Sequence, residues 1–279
     1  MVLANNISTE RLAGSLEVIA VEKLQVDPAY QPSLAQSRVN SIASKFDPDL
    51  LQAITVNVRT DGTWYVIDGQ HRVAAIRKRG LRSVKAWVFY GLSVAEEASL
   101  FYKLATQRRG SLPAIARYQS LLAAEDVEIV AIQKVLDEHQ LTIGKSGGSK
   151  NRIAAVNAIL WIWREHGEVI FRESLNVILK AYPSDNHRWI APLLESVAMF
   201  IKRYPEASID RLTGKLQTTI ATKVIAEINH LNEGINGAMA SSGHRDRPVY
   251  LRIDCGAEVL VRYYNRNLKE SSRLLSWKA

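Results

Sequence analysis

Five consecutive residues, Asp68-Gly69-Gln70-His71-Arg72, carry the densest chemistry in the chain. They follow an aromatic and β-branched run over 64–67, suited to a buried strand. They lead into a stretch of helix-forming composition over 72–79 that stops at Gly80. A glycine between strand and helix permits close backbone approach, and a helix opened by Gly-Gln-His-Arg offers unpaired N–H groups beside a fixed cation. That is a phosphate seat, with Gly69 for backbone access, Gln70 and His71 as donors and Arg72 as the forked cation. The competing reading is an ordinary α/β turn, since strand, glycine and helix follow one another in most such domains. Arg77, Lys78, Arg79, Arg82 and Lys85 come soon after, and they either extend the seat or complement the dipole of the helix end.

Two further clusters can do chemistry. Gln107-Arg108-Arg109 stands just before Ser111, which can cap a helix with Pro113 in its first turn, so that a guanidinium and a helix N-terminus would both face a γ-phosphate. The loop Gly144-Lys145-Ser146-Gly147-Gly148-Ser149-Lys150-Asn151-Arg152 lacks the upstream glycine of a P-loop, and the residues before it read as helix. As a DNA contact it offers Lys145, Lys150 and Arg152 to phosphates and Asn151 to a base edge; the alternative is a polar linker. His139, His166, His187, His230 and His244 are scattered without metal-ligand spacing, and the tryptophans at 161, 163, 189 and 277 fall in apolar helical stretches that suit a core better than base stacking.

The run 68–72, followed by Ala74-Ala75 and a basic helix end, resembles the nucleotide motif of the ParB/sulfiredoxin superfamily, which is Gly-Glu-Arg-Arg in ParB proteins and Gly-Cys-His-Arg in sulfiredoxin. The similarity extends to Tyr30-Gln31-Pro32, to Leu50-Leu51-Gln52-Ala53-Ile54-Thr55-Val56, and to Glu96-Glu97-Ala98 with Gln107-Arg108 and 116–122 beyond. It covers residues 16–122, with a looser likeness to ParB-like proteins of phages and mobile elements beyond. The resemblance implies a nucleoside triphosphate, CTP or ATP, with or without Mg2+, held by Gln52, Gly69, Gln70, His71, Arg72, Gln107, Arg108 and Arg109, and governing DNA binding or assembly as a homodimer. It also marks departures. The Glu and Asn of the family's Glu-Asn-X-Gln-Arg motif fall on Leu104 and Ala105, which can serve neither magnesium nor hydrolysis, so turnover should be slow at most. The sulfiredoxin cysteine falls on Gln70, whose amide is no nucleophile. The family's free-serine kinases use a carboxylate base, for which Asp68 or Glu96 would stand. A phosphotransferase or nuclease of the same fold, and an interaction module with a vestigial nucleotide site, are the alternatives.

The elements that must position these residues follow from pattern. The chain has 279 residues, 47% of them hydrophobic and 23% charged, enough to bury a sizeable core, and two domains are expected. No apolar run approaches the roughly 20 residues needed to cross a bilayer, and residues 1–8 have no basic start, so a cytoplasmic protein without a membrane partner is expected. Its single cysteine, Cys255, allows no internal disulfide. The net charge of +8 favours an anionic partner, yet 14 basic against 14 acidic residues over 111–235 leave the middle neutral. Strands are expected over 16–24, 54–59, 64–67 and 83–90, the last with Val84, Ala86, Val88 and Tyr90 on one face, and helices over 33–46, 72–79 and 94–105. The remainder reads as helices over 125–139, 151–166, 168–182, 187–204, 208–213, 215–233 and 254–268. The expected fold is α+β: a ParB/sulfiredoxin-like α/β domain over 1–110, then a helical domain over 111–279 with a helix-turn-helix-like DNA-binding element near 125–166.

Overall fold

Alternation and turn chemistry build the sheet. The computed structural model describes residues 14–48, 50–107, 112–145, 150–241 and 252–275. Five strands, β1 (Ser15–Ala20), β2 (Leu24–Gln25), β3 (Ile54–Val58), β4 (Trp64–Asp68) and β5 (Ser83–Tyr90), form one mixed sheet in the order β1-β5-β3-β4-β2. β1–β5 and β3–β4 are antiparallel, whereas β3–β5 and β2–β4 are parallel. The β3–β4 hairpin turns at Asp61-Gly62, where Gly62 takes φ 82 and the Asp61 carboxylate accepts from the Thr63 N–H at 2.9 Å.

Both sheet faces receive helices, which explains the inward apolar sets. Ile54, Val56, Val66, Val84, Ala86 and Val88 pack with Val73 and Ile76 of α2 (Gln70–Lys78). Tyr90, expected with that set, is exposed because it lies at the strand's end, where its hydroxyl donates to Glu17 at 3.0 Å. α1 (Gln36–Ser44) sits on α2 through Val39, Ala43 and Ala75. On the opposite face Ile67 packs with Tyr30 and with Ala98 and Phe101 of α3 (Val94–Gln107). Ser93 and Glu96 start α3 with a reciprocal capping box: the Glu96 N–H donates to Ser93 Oγ at 3.2 Å and the Ser93 N–H to Glu96 at 2.8 Å.

The chain divides into two compact units, 1–133 and 134–279, whereas the sequence placed a boundary after residue 110. α4 (Ala114–Ala123) joins the sheet unit because Ser120 Oγ, fully buried, donates to the Tyr30 carbonyl at 2.8 Å. α5 (Val127–Glu138) crosses the boundary.

In the second unit a two-residue parallel pair, β6 (Thr142–Ile143) with β7 (Arg152–Ile153), is an addition to the all-helical expectation. α6 (Val156–Ala181) kinks at Gly167, at the break expected between two helices. α7 (Ala191–Arg203), α8 (Ile209–Leu216), α9 (Ala221–Ser241) and α10 (Arg252–Asn265) complete the unit. α10 crosses α7 at Gly256, where an added Cβ would come within 1.7 Å of Ser196 Oγ. Between α5 and α6, within the 125–166 stretch where a helix-turn-helix-like element is expected, lie β6 and β7. No helix among the described residues is long and apolar enough to cross a membrane.

Candidate functional site

The N-terminus of α2 faces a cavity of about 630 Å³ in the sheet unit. Its wall includes Gln52, Gly69, Gln70, His71 and Arg72, so five of the eight residues expected at a nucleotide are brought together. Gln107 ends α3, exposed and away from the cavity lining; Arg108 and Arg109, with the capping candidate Ser111, lie outside the described residues. The opposite wall holds Phe101, Ala105 and Leu112, and α1 contributes Arg38, Ser41, Ile42 and Lys45. A polar helix face of this kind is ordinarily just solvated, but Arg38, Ser41 and Lys45 recur at the i, i+3, i+7 spacing that puts them on one face.

Each motif residue has a local reason for its place. Gly69 is the N-cap of α2 at φ 104, a left-handed conformation, and an added Cβ would stand 2.6 Å from Ile54 Cγ2. No side chain caps α2, which leaves the first-turn N–H groups for a ligand or water. The Gln70 side chain is buried and Nε2 donates to the Pro32 carbonyl at 3.1 Å, so this amide braces the cavity wall. His71 Nε2 accepts from the Ala35 N–H at 3.1 Å. Burial, and then the charge of Arg38, hold the imidazole pKa below its ordinary value. The neutral ring therefore keeps its proton on Nδ1, the one nitrogen that can donate.

Arg72 is a strut. Nη1 donates to the carbonyls of Gln52 at 2.5 Å and Ala53 at 2.9 Å, and Nη2 meets Asp68 Oδ2 at 2.6 Å. The guanidinium expected to grip phosphate thus ties the 52–53 backbone to the motif turn. That pairing also occupies Asp68, and Glu96 is taken by the α3 capping box, so both carboxylates considered as bases have structural duties. Leu104 packs into the apolar cluster around Tyr30, and the described residues of α3 that line the cavity are Phe101 and Ala105. This donor set does not fit a protein-held Mg2+. No group of three metal-ligating side chains occurs among the described residues, and of the two carboxylates lining the cavity, Asp47 and Asp68, the second is bound to Arg72.

Behind the cavity lies a buried polar network that the sequence did not reveal. Glu97, fully buried, accepts from Tyr30 Oη at 3.1 Å, Asn57 Nδ2 at 2.7 Å, and Arg59 Nε and Nη2 at 2.9 and 2.5 Å. Arg59 also pairs with Asp27 at 2.6 Å and stacks 3.6 Å over the Tyr65 ring. Burial, then the Glu97 charge, raises the Tyr30 pKa, so the phenol stays protonated as a donor. Tyr30 is thereby immobilised beside Gln31 and Pro32, which line the cavity.

The expected DNA loop is anchored at its end. Buried Arg188 donates to the Lys150 carbonyl from Nε at 3.1 Å and Nη2 at 2.8 Å, and to Asn151 Oδ1 at 3.1 Å; Trp189 Nε1 adds 2.7 Å to the same carbonyl. Asn151 Oδ1 therefore serves the framework, while Lys145, Lys150 and Arg152 are exposed. Residues 146–149 lie outside the described set.

The chain belongs to the family of unknown function DUF6551, whose model matches residues 27–230. No curated protein matches it. Among solved structures it is similar to the C-terminally truncated chromosome-partitioning protein ParB from Caulobacter crescentus complexed with CTP-γ-S, at 12% identity and TM-score 0.30 over 91% of this chain and 98% of that one. The same protein complexed to the centromeric parS site gives 14% and 0.32 over 73% and 100%. The C2221 form of a Pnob8-like ParB N-domain gives 16% and 0.38 over 77% and 88%. TM-scores of this size leave the fold to be read from the chain's own elements.

Proposed function

We propose that this member of the family binds a nucleoside triphosphate, CTP or ATP, in the cavity at the start of α2, and that the bound nucleotide governs DNA association or self-association. The observation that carries the reading is the uncapped N-terminus of α2, opened by Gly69 at φ 104 and facing a cavity of about 630 Å³. Unpaired N–H groups and the helix dipole there favour an anion. The cavity falls within the usual range for small-molecule sites, roughly 300–1,000 Å³. His71 Nδ1 and the Gln52 side chain offer polar contacts on the same wall. Any magnesium would arrive on the phosphates, because no cluster of metal-ligating side chains occurs among the described residues to hold it.

Calorimetry with the four nucleoside triphosphates, with and without Mg2+, tests this directly. Saturable binding with a preference among bases is expected, and silence toward all four would end the reading. With Leu104 and Ala105 at the hydrolytic positions, phosphate release under saturating nucleotide should stay below about one per second, the low end of ordinary enzyme turnover. Faster release would favour the phosphotransferase alternative.

For DNA, the supporting feature is the exposure of Lys145, Lys150 and Arg152 beside the anchored β6–β7 pair. Replacing all three with alanine should lower the log–log salt slope of duplex binding by roughly 2.7, about 0.9 per phosphate contact. An unchanged slope would remove this loop from the interface.

A further inference from the structure

We infer that Arg38 and Lys45 of α1 supply the positive charge that meets the outer phosphates of the cavity's ligand, which makes that ligand a di- or triphosphate rather than a monophosphate. The inference rests on the proposed function for its location and goes beyond it in naming the residues that select for the outer phosphates.

Charge availability is the deciding observation. Arg38 and Lys45 line the cavity, are exposed, and make no hydrogen bond or ion pair among the described residues. Arg72 is in the opposite condition, with both terminal nitrogens committed to Asp68 and to the 52–53 carbonyls. The Arg72–Asp68 pair is neutral as a unit. Uncommitted positive charge on the described cavity wall therefore comes from α1, and it exceeds the single further carboxylate there, Asp47.

Placement supports the same assignment. Arg38, Ser41 and Lys45 share one face of α1, whose other face is packed on α2 through Val39, Ala43 and Ala75. Lys78 Nζ donates to Asn40 Oδ1 at 2.7 Å and ties the two helices again. The cationic stripe is thus held at a fixed offset from the α2 N-terminus, and the field of Arg38 is felt at His71 in the motif. A first phosphate on the α2 N–H groups would leave the next ones facing α1. A monophosphate would use the helix N-terminus and leave the α1 cations idle.

The test is calorimetry on the full chain with the mono-, di- and triphosphate of one nucleoside, and with inorganic tripolyphosphate as a base-free probe. The Arg38→Gln/Lys45→Gln variant removes both charges and keeps good helix formers, so the fold should persist; Arg38→Lys/Lys45→Arg keeps the charge. A third variant, Arg82→Gln/Lys85→Gln, makes the same net charge change away from the cavity. The wild type should gain affinity from mono- to triphosphate. The Arg38→Gln/Lys45→Gln variant should lose tenfold or more for triphosphate and tripolyphosphate and less than twofold for monophosphate, with recovery in the charge-conserving variant. Unchanged triphosphate affinity, an equal loss for mono- and triphosphate, or the same loss in the remote variant overturns the inference while leaving nucleotide binding intact. Binding of tripolyphosphate that depends on Arg38 and Lys45, with no nucleotide bound, overturns the proposed function and leaves the inference standing. Absence of binding to every probe overturns both.

Discussion

Replacing Glu97 with alanine is expected to cost about 3–5 kcal/mol in the stability of the sheet unit, the range for removing one member of a buried ion pair. Glu97 is fully buried and is the shared acceptor for Tyr30, Asn57 and Arg59. Its loss leaves the Tyr30 hydroxyl without its acceptor and the inner side of Arg59 facing an empty pocket, although Asp27 still pairs with that guanidinium. Asn57 keeps the Leu92 carbonyl at 2.9 Å, so its share of the penalty is partial. Glu97→Gln should cost less, because an amide oxygen still accepts from these donors and Asp27 still balances Arg59. Urea denaturation with hydrogen exchange to assign the unit that opens would check both variants. An alanine variant within about 1 kcal/mol of wild type would show that the network is not what docks α3 on the sheet. The effect reaches function through Tyr30, which fixes the neighbouring Gln31 and Pro32 in the cavity wall, so ligand affinity should fall even where the variant is folded.

The contrast between Glu96 and Glu97 shows what pattern reading can reach. Both carboxylates stand in the first turn of α3 and look equally like dipole complements. Glu96 is part of a capping box that the Ser93 spacing announces, because its partners lie three residues away. The partners of Glu97 are 38 to 67 residues away, on β3, just after it, and in the segment that follows β2, so only the tertiary fold reveals its burial. The same distance rule divides the site. Strand, glycine and helix over 64–78 were legible because alternation, Gly69 and the helix-forming run are local. The duty of Arg72 was not, since its carbonyl acceptors at 52 and 53 are brought to it by β3. α1 was legible as a helix, but its polar face reads as solvated until the cavity beside it is seen. In the second unit nothing local marks Arg188, between α6 and α7, whereas burial against the Lys150 and Tyr182 carbonyls makes it an anchor.

Gly69→Ala should cost about as much as the loss of Glu97, roughly 2–6 kcal/mol, and should also impair the site. Two terms add. An L-residue at φ 104 carries backbone strain of roughly 1–3 kcal/mol. The new methyl would stand 2.6 Å from Ile54 Cγ2, 3.1 Å from Ile54 Cβ and 3.1 Å from Arg72 Nη2, and forcing such a contact in a packed core typically costs about 1–3 kcal/mol. Ile54 is fully buried in the sheet core and cannot swing aside. The displaced atoms would instead be those of the turn, which carries the first N–H groups of α2, and of Arg72, which holds the 52–53 backbone. Ligand affinity should therefore fall together with stability. A double-mutant cycle separates the terms: Ile54→Ala removes Cγ2, so the penalty of Gly69→Ala measured in that background should shrink toward the backbone strain alone. An undiminished penalty would assign the whole cost to φ, and a Gly69→Ala protein that melts with the wild type would mean that the turn can adopt another conformation. If the two terms are as large as the geometry implies, this glycine is required by Ile54 and by its own backbone before any phosphate approaches. Its presence in a Gly-Gln-His-Arg run is then explained by the fold, and the case for a ligand has to rest on the uncapped helix and the cations around the cavity.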